Sequence, residues 1–249
     1  MRRKLAAGNW KMNGTSASLS ELGTLAGLLP EGAPQVVICP PALLLADALR
    51  RMQGTGISIG AQDCHSAASG AHTGDISAPM IADLGAAHVI IGHSERRRDH
   101  GEDDSTVRAK ADAAHAAGLT AILCIGETQD QRADGQTLQI IAEQLAGSLP
   151  ARISATDTVI AYEPVWAIGT GAVPTLAQIG EVHDFIRASL VRRYGSDIAD
   201  AIPLLYGGSV KPDNAGAIFT VDNVDGALVG GASLQAADFA PIITALANS

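Results

Sequence analysis

Aromatic residues are scarce in this chain, only 3% of its 249 positions, so the interior must be filled by aliphatic side chains; hydrophobic residues supply 47% of the chain and charged ones 17%. Cysteine is scarce too. Cys39, Cys64 and Cys124 form an odd, widely spaced set with no Cys-x-x-Cys pair and no clustered histidines beside them. Neither a disulfide framework nor a structural zinc site is supported. No run approaches the ~20 apolar residues of a membrane span. The basic start, Arg2-Arg3-Lys4, is followed by Leu-Ala-Ala-Gly-Asn-Trp-Lys, which breaks off before forming a signal-peptide core. Positive charge is in deficit, 17 Lys and Arg against 26 Asp and Glu, for a formal net charge of −9. Nucleic acid and anionic membranes both reward a basic surface, so neither is expected as the main partner. Any phosphate must be held by local geometry, and a cytoplasmic enzyme is the expectation.

What the chain does have is regular alternation. Strand-like runs recur at Lys4–Asn9, Gln35–Cys39, Ser58–Gln62, His88–Gly92, Thr120–Ile125, Thr158–Glu163, Pro203–Gly207 and Asp225–Val229. Between them lie helical stretches with start and stop chemistry. Thr175 and Gln178 read as a capping box with Gly195 at the far end, and Ser105 and Gly118 bracket another helix. Eight strand–helix units at roughly 30-residue intervals predict one closed (β/α)8 barrel over residues 1–249. A doubly wound sheet is the alternative, but the Gly-x-Gly-x-x-Gly turn it would show after its first strand is missing. No linker, charge block, low-complexity segment or short-period repeat interrupts the pattern.

In such barrels the active site lies at the C-terminal ends of the strands. Asn9 and Lys11 end the first strand, His93, Ser94 and Glu95 follow the fourth, Glu163 ends the sixth, Ser209 follows the seventh, and Gly230 and Gly231 follow the eighth. Glu163 is the most telling. It follows the apolar run Thr158–Tyr162, Pro164 biases it away from helical angles, and Gly169 and Gly171 allow the backbone rearrangements of a moving loop. The segment reads as a catalytic base joined to a lid, although an ordinary loop after a strand is as good a reading of the local pattern alone.

The other groups also carry two readings each. A Gly-Gly dipeptide is usually a tight turn. Two of them, Gly207-Gly208 and Gly230-Gly231, after strands seven and eight, instead suit a phosphate cradled by backbone N–H groups. His93 is either a satisfied core histidine or an acid and electrophile facing Glu163; its isolation weakens a metal role. Lys11 is either a surface ammonium or the cation that meets an anionic substrate and its developing oxyanion. Glu95 either pairs structurally with Arg96 or contacts Lys11, and ranks below Glu163 as the base.

Taken together, GNWKMNG (8–14), GAQD (60–63), GAHTGDIS (70–77), IIGHSERR (90–97), LCIGET (123–128), AYEPVWAIGTG (161–171), YGGSV (206–210) and DGALVGGASL (225–234) make the chain closely resemble the triosephosphate isomerases over essentially its whole length. The resemblance implies a (β/α)8 barrel that forms a homodimer and interconverts dihydroxyacetone phosphate and D-glyceraldehyde 3-phosphate, in glycolysis and gluconeogenesis, with no metal or other cofactor. It implies that Glu163 shuttles a proton through an enediolate, His93 polarises and reprotonates the oxygens, Lys11 supplies positive charge and Asn9 helps place the substrate. Gly169, Ser209, Gly230 and Gly231 would hold the phosphate, Ser94 line the site and Glu95 support it. The loop His65–Ser77 would insert into the neighbouring subunit, with Thr73 bracing its active site. Three departures stand out: Ala172-Val173-Pro174 replaces a lysine-containing hinge, Asp75 a frequent glutamate, and His72 a common aromatic. An isomerase of tetrulose phosphates is the nearest rival, and a non-catalytic barrel the reading from another class; the latter predicts damage at Lys11, His93 or Glu163, and all three are present.

Overall fold

A computed structural model describes residues 2–169 and 173–249. Eight parallel strands follow one another around a closed barrel: β1 (Leu5–Asn9), β2 (Gln35–Cys39), β3 (Ile57–Ala61), β4 (His88–Ile91), β5 (Thr120–Ile125), β6 (Thr158–Tyr162), β7 (Leu204–Tyr206) and β8 (Gly226–Val229). Closure is visible in the registers. β1 pairs with β2 from Leu5↔Gln35 to Asn9↔Cys39, and with β8 from Leu5↔Gly226 to Gly8↔Val229. The doubly wound alternative falls, because an open sheet would leave two strand edges.

Most strands end within one residue of the bounds expected from sequence. Glu163 and Gly207 lie just outside theirs, yet their N–H groups extend the ladders, to Ile125 O and Tyr162 O, both at 2.7 Å. They are the residues at which strand becomes site. Strand side chains alternate, and the core accordingly has two parts. Leu5, Ala7, Val37, Ile90, Ile122 and Val159 belong to a cluster inside the barrel, while their neighbours Ala6, Val36, Ile38, Val89 and Ile160 join the larger layer beneath the helices. Four of the eight aromatics, Trp10, Tyr162, Tyr206 and Phe239, are fully buried.

The helix Leu176–Tyr194 begins as expected, with Thr175 Oγ1 accepting the Gln178 N–H and Gln178 Oε1 accepting the Thr175 N–H at 2.9 Å; Gly195 ends it at φ 81°. The helix bracketed by Ser105 and Gly118 starts earlier than expected, at Asp104. Its cap is Asp103, whose carboxylate accepts the Thr106 N–H at 2.7 Å and the Ser105 hydroxyl at 2.8 Å, and those bonds push its pKa down to about 2. At the opposite end of the barrel from the site, Asp225 takes Arg187 Nη2 at 3.1 Å, the Leu204 N–H at 2.9 Å and Arg2 Nε at 2.7 Å. One carboxylate thus ties together the entrances to β7, β8 and β1.

Candidate active site

At the C-terminal ends of the strands lies a cavity of about 500 Å³. Asn9, Lys11, His93, Glu163, Gly169, Ser209, Gly230 and Gly231 all line it, so the barrel gathers residues more than 200 positions apart in sequence. Ser94 and Glu95 stand behind that lining and act on it through their bonds.

Glu163 is buried at 2% exposure. Two glycines make room for it. A Cβ on Gly126 would lie 1.7 Å from the Glu163 carbonyl oxygen, and one on Gly207 would lie 2.9 Å from Glu163 Cγ. Glu163 Oε1 is 2.9 Å from His93 Nε2, and Oε2 accepts the Ser94 N–H at 2.9 Å. Burial alone would raise the pKa of this carboxyl group. His93, the Ser94 N–H and Lys11 outweigh that and hold it below the usual carboxylate range.

His93 caps the helix Ser94–His100, and its Nδ1 accepts the Glu95 N–H at 3.2 Å. That bond leaves the proton of a neutral ring on Nε2, aimed at Glu163. Burial opposes a charged imidazole here, but the Glu163 carboxylate favours one and raises the pKa. Lys11 also favours the neutral ring, whereas the Glu95 carboxylate, 3.6 Å from Nδ1, adds to the support for the charged one.

Lys11 carries its ammonium 2.7 Å from Glu95 Oε1, and its N–H donates to Asn9 Oδ1 at 3.0 Å. Glu95 therefore contacts Lys11, and the structural pairing with Arg96 does not form. Arg96 instead bonds Glu102 at 2.6 Å and Asp63 at 3.0 Å, in a cluster completed by Lys110.

On the far side of the cavity, the Gly230 carbonyl accepts both the N–H and the hydroxyl of Ser233, at 2.8 and 2.7 Å, which fixes the turn into the short helix Gly231–Ser233. Ser209 donates its hydroxyl to Ala167 O at 2.7 Å, tying the β7 turn to the segment after Glu163. Gly169 adopts φ 71°, as its place in a loop suggested, whereas Gly171 and Ala172 lie outside the described residues. Sequence reasoning missed Asn13, Lys211 and Asp238, which also line the cavity. Asn13 and Lys211 stood inside recognisable blocks or just beyond them, but nothing in their spacing gave them a direction.

Thr73 is exposed in the long loop after β3 and does not line the cavity of its own chain. Folding brings His65, His72 and Asp75 of that loop within 4.8 Å of one another. They are poorly set to ligate a cation: His65 Nδ1 accepts the Ala67 N–H at 2.9 Å, so the neutral ring carries its proton on Nε2, the nitrogen that faces Asp75.

A family model described as triosephosphate isomerase matches residues 4–246. The chain belongs to the triosephosphate isomerase family. A triosephosphate isomerase of Ruegeria sp. (strain TM1040) is 65% identical over the whole of both chains, and that of Ruegeria pomeroyi is 63% identical over 99% of this chain and 98% of the relative. The crystal structure of triosephosphate isomerase from Bartonella henselae superposes with a TM-score of 0.91 at 47% identity, covering 98% of each chain. Membership in the triosephosphate isomerase family makes the chain an aldose–ketose isomerase. Among the described residues, no helix is long and apolar enough to cross a membrane.

Proposed function

We propose that Glu163, His93, Lys11 and Asn9 carry out the family's interconversion of dihydroxyacetone phosphate and D-glyceraldehyde 3-phosphate, a step of glycolysis, by proton transfer through an enediolate. The Glu163 carboxylate takes a proton from C1 of the ketose. The electron pair of that C–H bond becomes the C1–C2 double bond, and the C2 carbonyl oxygen takes the negative charge. His93 Nε2–H donates to that oxygen and recovers a proton from the C1 hydroxyl, and Glu163 returns its own proton to C2 to give the aldehyde. Lys11 and Asn9 stabilise the charge as it develops, where a preorganised donor in a closed site is worth most. Ser94 holds Glu163 through its N–H before substrate arrives, and Glu95 holds both Lys11 and the His93 ring.

The observation that carries this reading is the 2.9 Å contact between a buried carboxylate and a buried imidazole in a cavity that also contains a lysine and two glycine turns. Because the overall charge is −9, the phosphate is assigned to local groups: Gly169, Ser209, Gly230 and Gly231. The lid expected over Gly169–Gly171 lies mostly outside the described residues; Gly169, at its start, lines the cavity. An exposed enediolate beside a phosphate ester eliminates phosphate, and lid closure, for which this family is a standard example, excludes the water that assists side reactions.

The same reading includes a homodimer located in the cytoplasm. Met12 and Leu43 are 96% and 97% exposed, an unusual state for two large apolar side chains, and Thr73 stands exposed in a loop with its own pairing between His65 and Ser77. All three cysteines are free and buried, as suits a reducing compartment.

The test is deuterium incorporation from heavy water into both triose phosphates, followed by NMR with purified enzyme and excess chelator. Exchange at C1 of the ketose and C2 of the aldose, undiminished by the chelator, is the expected result. Absolute dependence on an added divalent cation or nicotinamide would remove the mechanism.

A further inference from the structure

We infer that Gln62 is a positioning residue for the reaction, holding the Lys11 backbone in the left-handed conformation from which its ammonium reaches the cavity. The inference rests on the reading of Lys11 as the cation that meets the substrate. Lys11 has φ 52°, and among the described non-glycine residues only Asn223 shares a positive φ. Asparagine tolerates that region; for lysine it is sparsely populated and persists only where the surroundings enforce it.

The enforcement is visible on both sides of the residue. Upstream, Trp10 N–H donates to Cys39 O at 3.1 Å and the Lys11 N–H donates to Asn9 Oδ1. Downstream, the Lys11 carbonyl accepts from Gln62 Nε2 at 2.8 Å. The same amide nitrogen donates its second proton to Cys39 O, also at 2.8 Å. Gln62 follows directly on β3, so a single carboxamide joins the ends of β1, β2 and β3 around one strained peptide. Both of its protons are used, and no hydrophobic side chain of similar length could replace either bond. With the carbonyl released, Lys11 is free to relax toward negative φ, which carries Nζ away from the cavity. Gln62 itself does not line that cavity, so its influence must pass through Lys11.

The test is a double-mutant cycle of the parent, Gln62→Met, Lys11→Met and the double variant, with kcat, KM and thermal stability measured for each. Gln62→Met should lower kcat/KM about 10- to 100-fold, the scale set by misplacing a catalytic group, with kcat falling and KM rising together. In the Lys11→Met background the same change should do nothing further, because residues acting through one another are not additive. Gln62→Glu supplies an independent readout. Its carboxylate would face two carbonyl oxygens, and protonation restores one donor, so its activity relative to the parent at the same pH should rise as pH falls. Parent-like constants for Gln62→Met, or an equal fold loss with and without Lys11, would overturn the inference. If Gln62→Met does not fold, a Gln62→Glu variant with the native circular dichroism spectrum and a flat activity ratio across pH would overturn it instead. Loss of activity in Lys11→Met separates the two levels: if that variant keeps parental constants, the assignment of Lys11 fails; if it is crippled while Gln62→Met is not, only the role of Gln62 fails.

Discussion

At the scale of single residues, the site is a contest between burial and pairing. Glu163 is buried away from water, and His93, the Ser94 N–H and Lys11 outweigh that burial and hold its pKa below the usual carboxylate range. Glu163→Gln keeps the shape and removes the proton acceptor, so turnover should fall by roughly 10²–10⁴. Affinity for a phosphate-bearing inhibitor should survive. Near-parental turnover in steady-state assays would show that Glu163 is not the base. The pH dependence has a definite sign. A carboxyl group with a depressed pKa keeps its basic form as pH falls, until the pH drops through the folded-state value. The contribution of Glu163 to the acid limb of kcat/KM should therefore lie below ~4.3, the unperturbed glutamate value, separate from that of His93, whose pKa is raised and which must be neutral to donate. Titration of the substrate's phosphate, near ~6 for phosphate monoesters, must first be divided out of the profile. A Glu163 carboxyl group that titrates above the unperturbed value, read by carboxylate 13C NMR, would mean that burial wins over pairing.

At the scale of elements, legibility in the sequence follows the range of the interaction. The helix Leu176–Tyr194 was readable because its cap is a local exchange between Thr175 and Gln178, and its stop is a glycine. Thr175→Ala should cost ~1 kcal/mol, a drop of roughly 2–4 °C in Tm for a domain of this size, measurable by calorimetry. No loss of stability would mean that the bond is satisfied equally by water. The start at Asp103 instead of Ser105 was harder, since both residue types cap well and only the backbone decides which is half a turn outside the helix. Strand ends were readable to within a residue for most strands because apolar runs stop where the site begins. The partners of the charges were only partly readable. Contact of Glu95 with Lys11, across 84 positions, was one of two readings and is the one that forms, while Arg96 turns away to Glu102 and Asp63, because a helix places adjacent side chains about 100° apart. Gln62 was part of a recognisable block, but its two bonds depend on the ends of three strands meeting, which only the closed barrel brings about.

At the scale of the molecule, one chain gathers all the groups proposed to react, yet its surface is not that of a finished monomer. Met12 follows Lys11 directly and is almost wholly exposed, as is Leu43 just beyond β2, and Thr73 is exposed in the loop after β3. Exposed apolar side chains of this size, one of them next to the lysine assigned to the site, suit a contact with a second copy. In the proposed dimer Thr73 braces the partner near Asn9 and Lys11, so that assembly steadies the strained backbone from which Lys11 acts. Thr73→Arg would place a large cation in that contact. Burying an unpaired charge is strongly unfavourable, and here it would also stand near a lysine. Analytical ultracentrifugation should show the variant dissociating at concentrations where the parent remains a dimer, and its activity per chain should fall on dilution. The fold of each chain, read by circular dichroism, should be unchanged, because Thr73 is exposed in its own chain. A parent chain that sediments as a monomer while fully active at assay concentration would end the proposal of assembly and leave the chemistry at Glu163 and His93 standing.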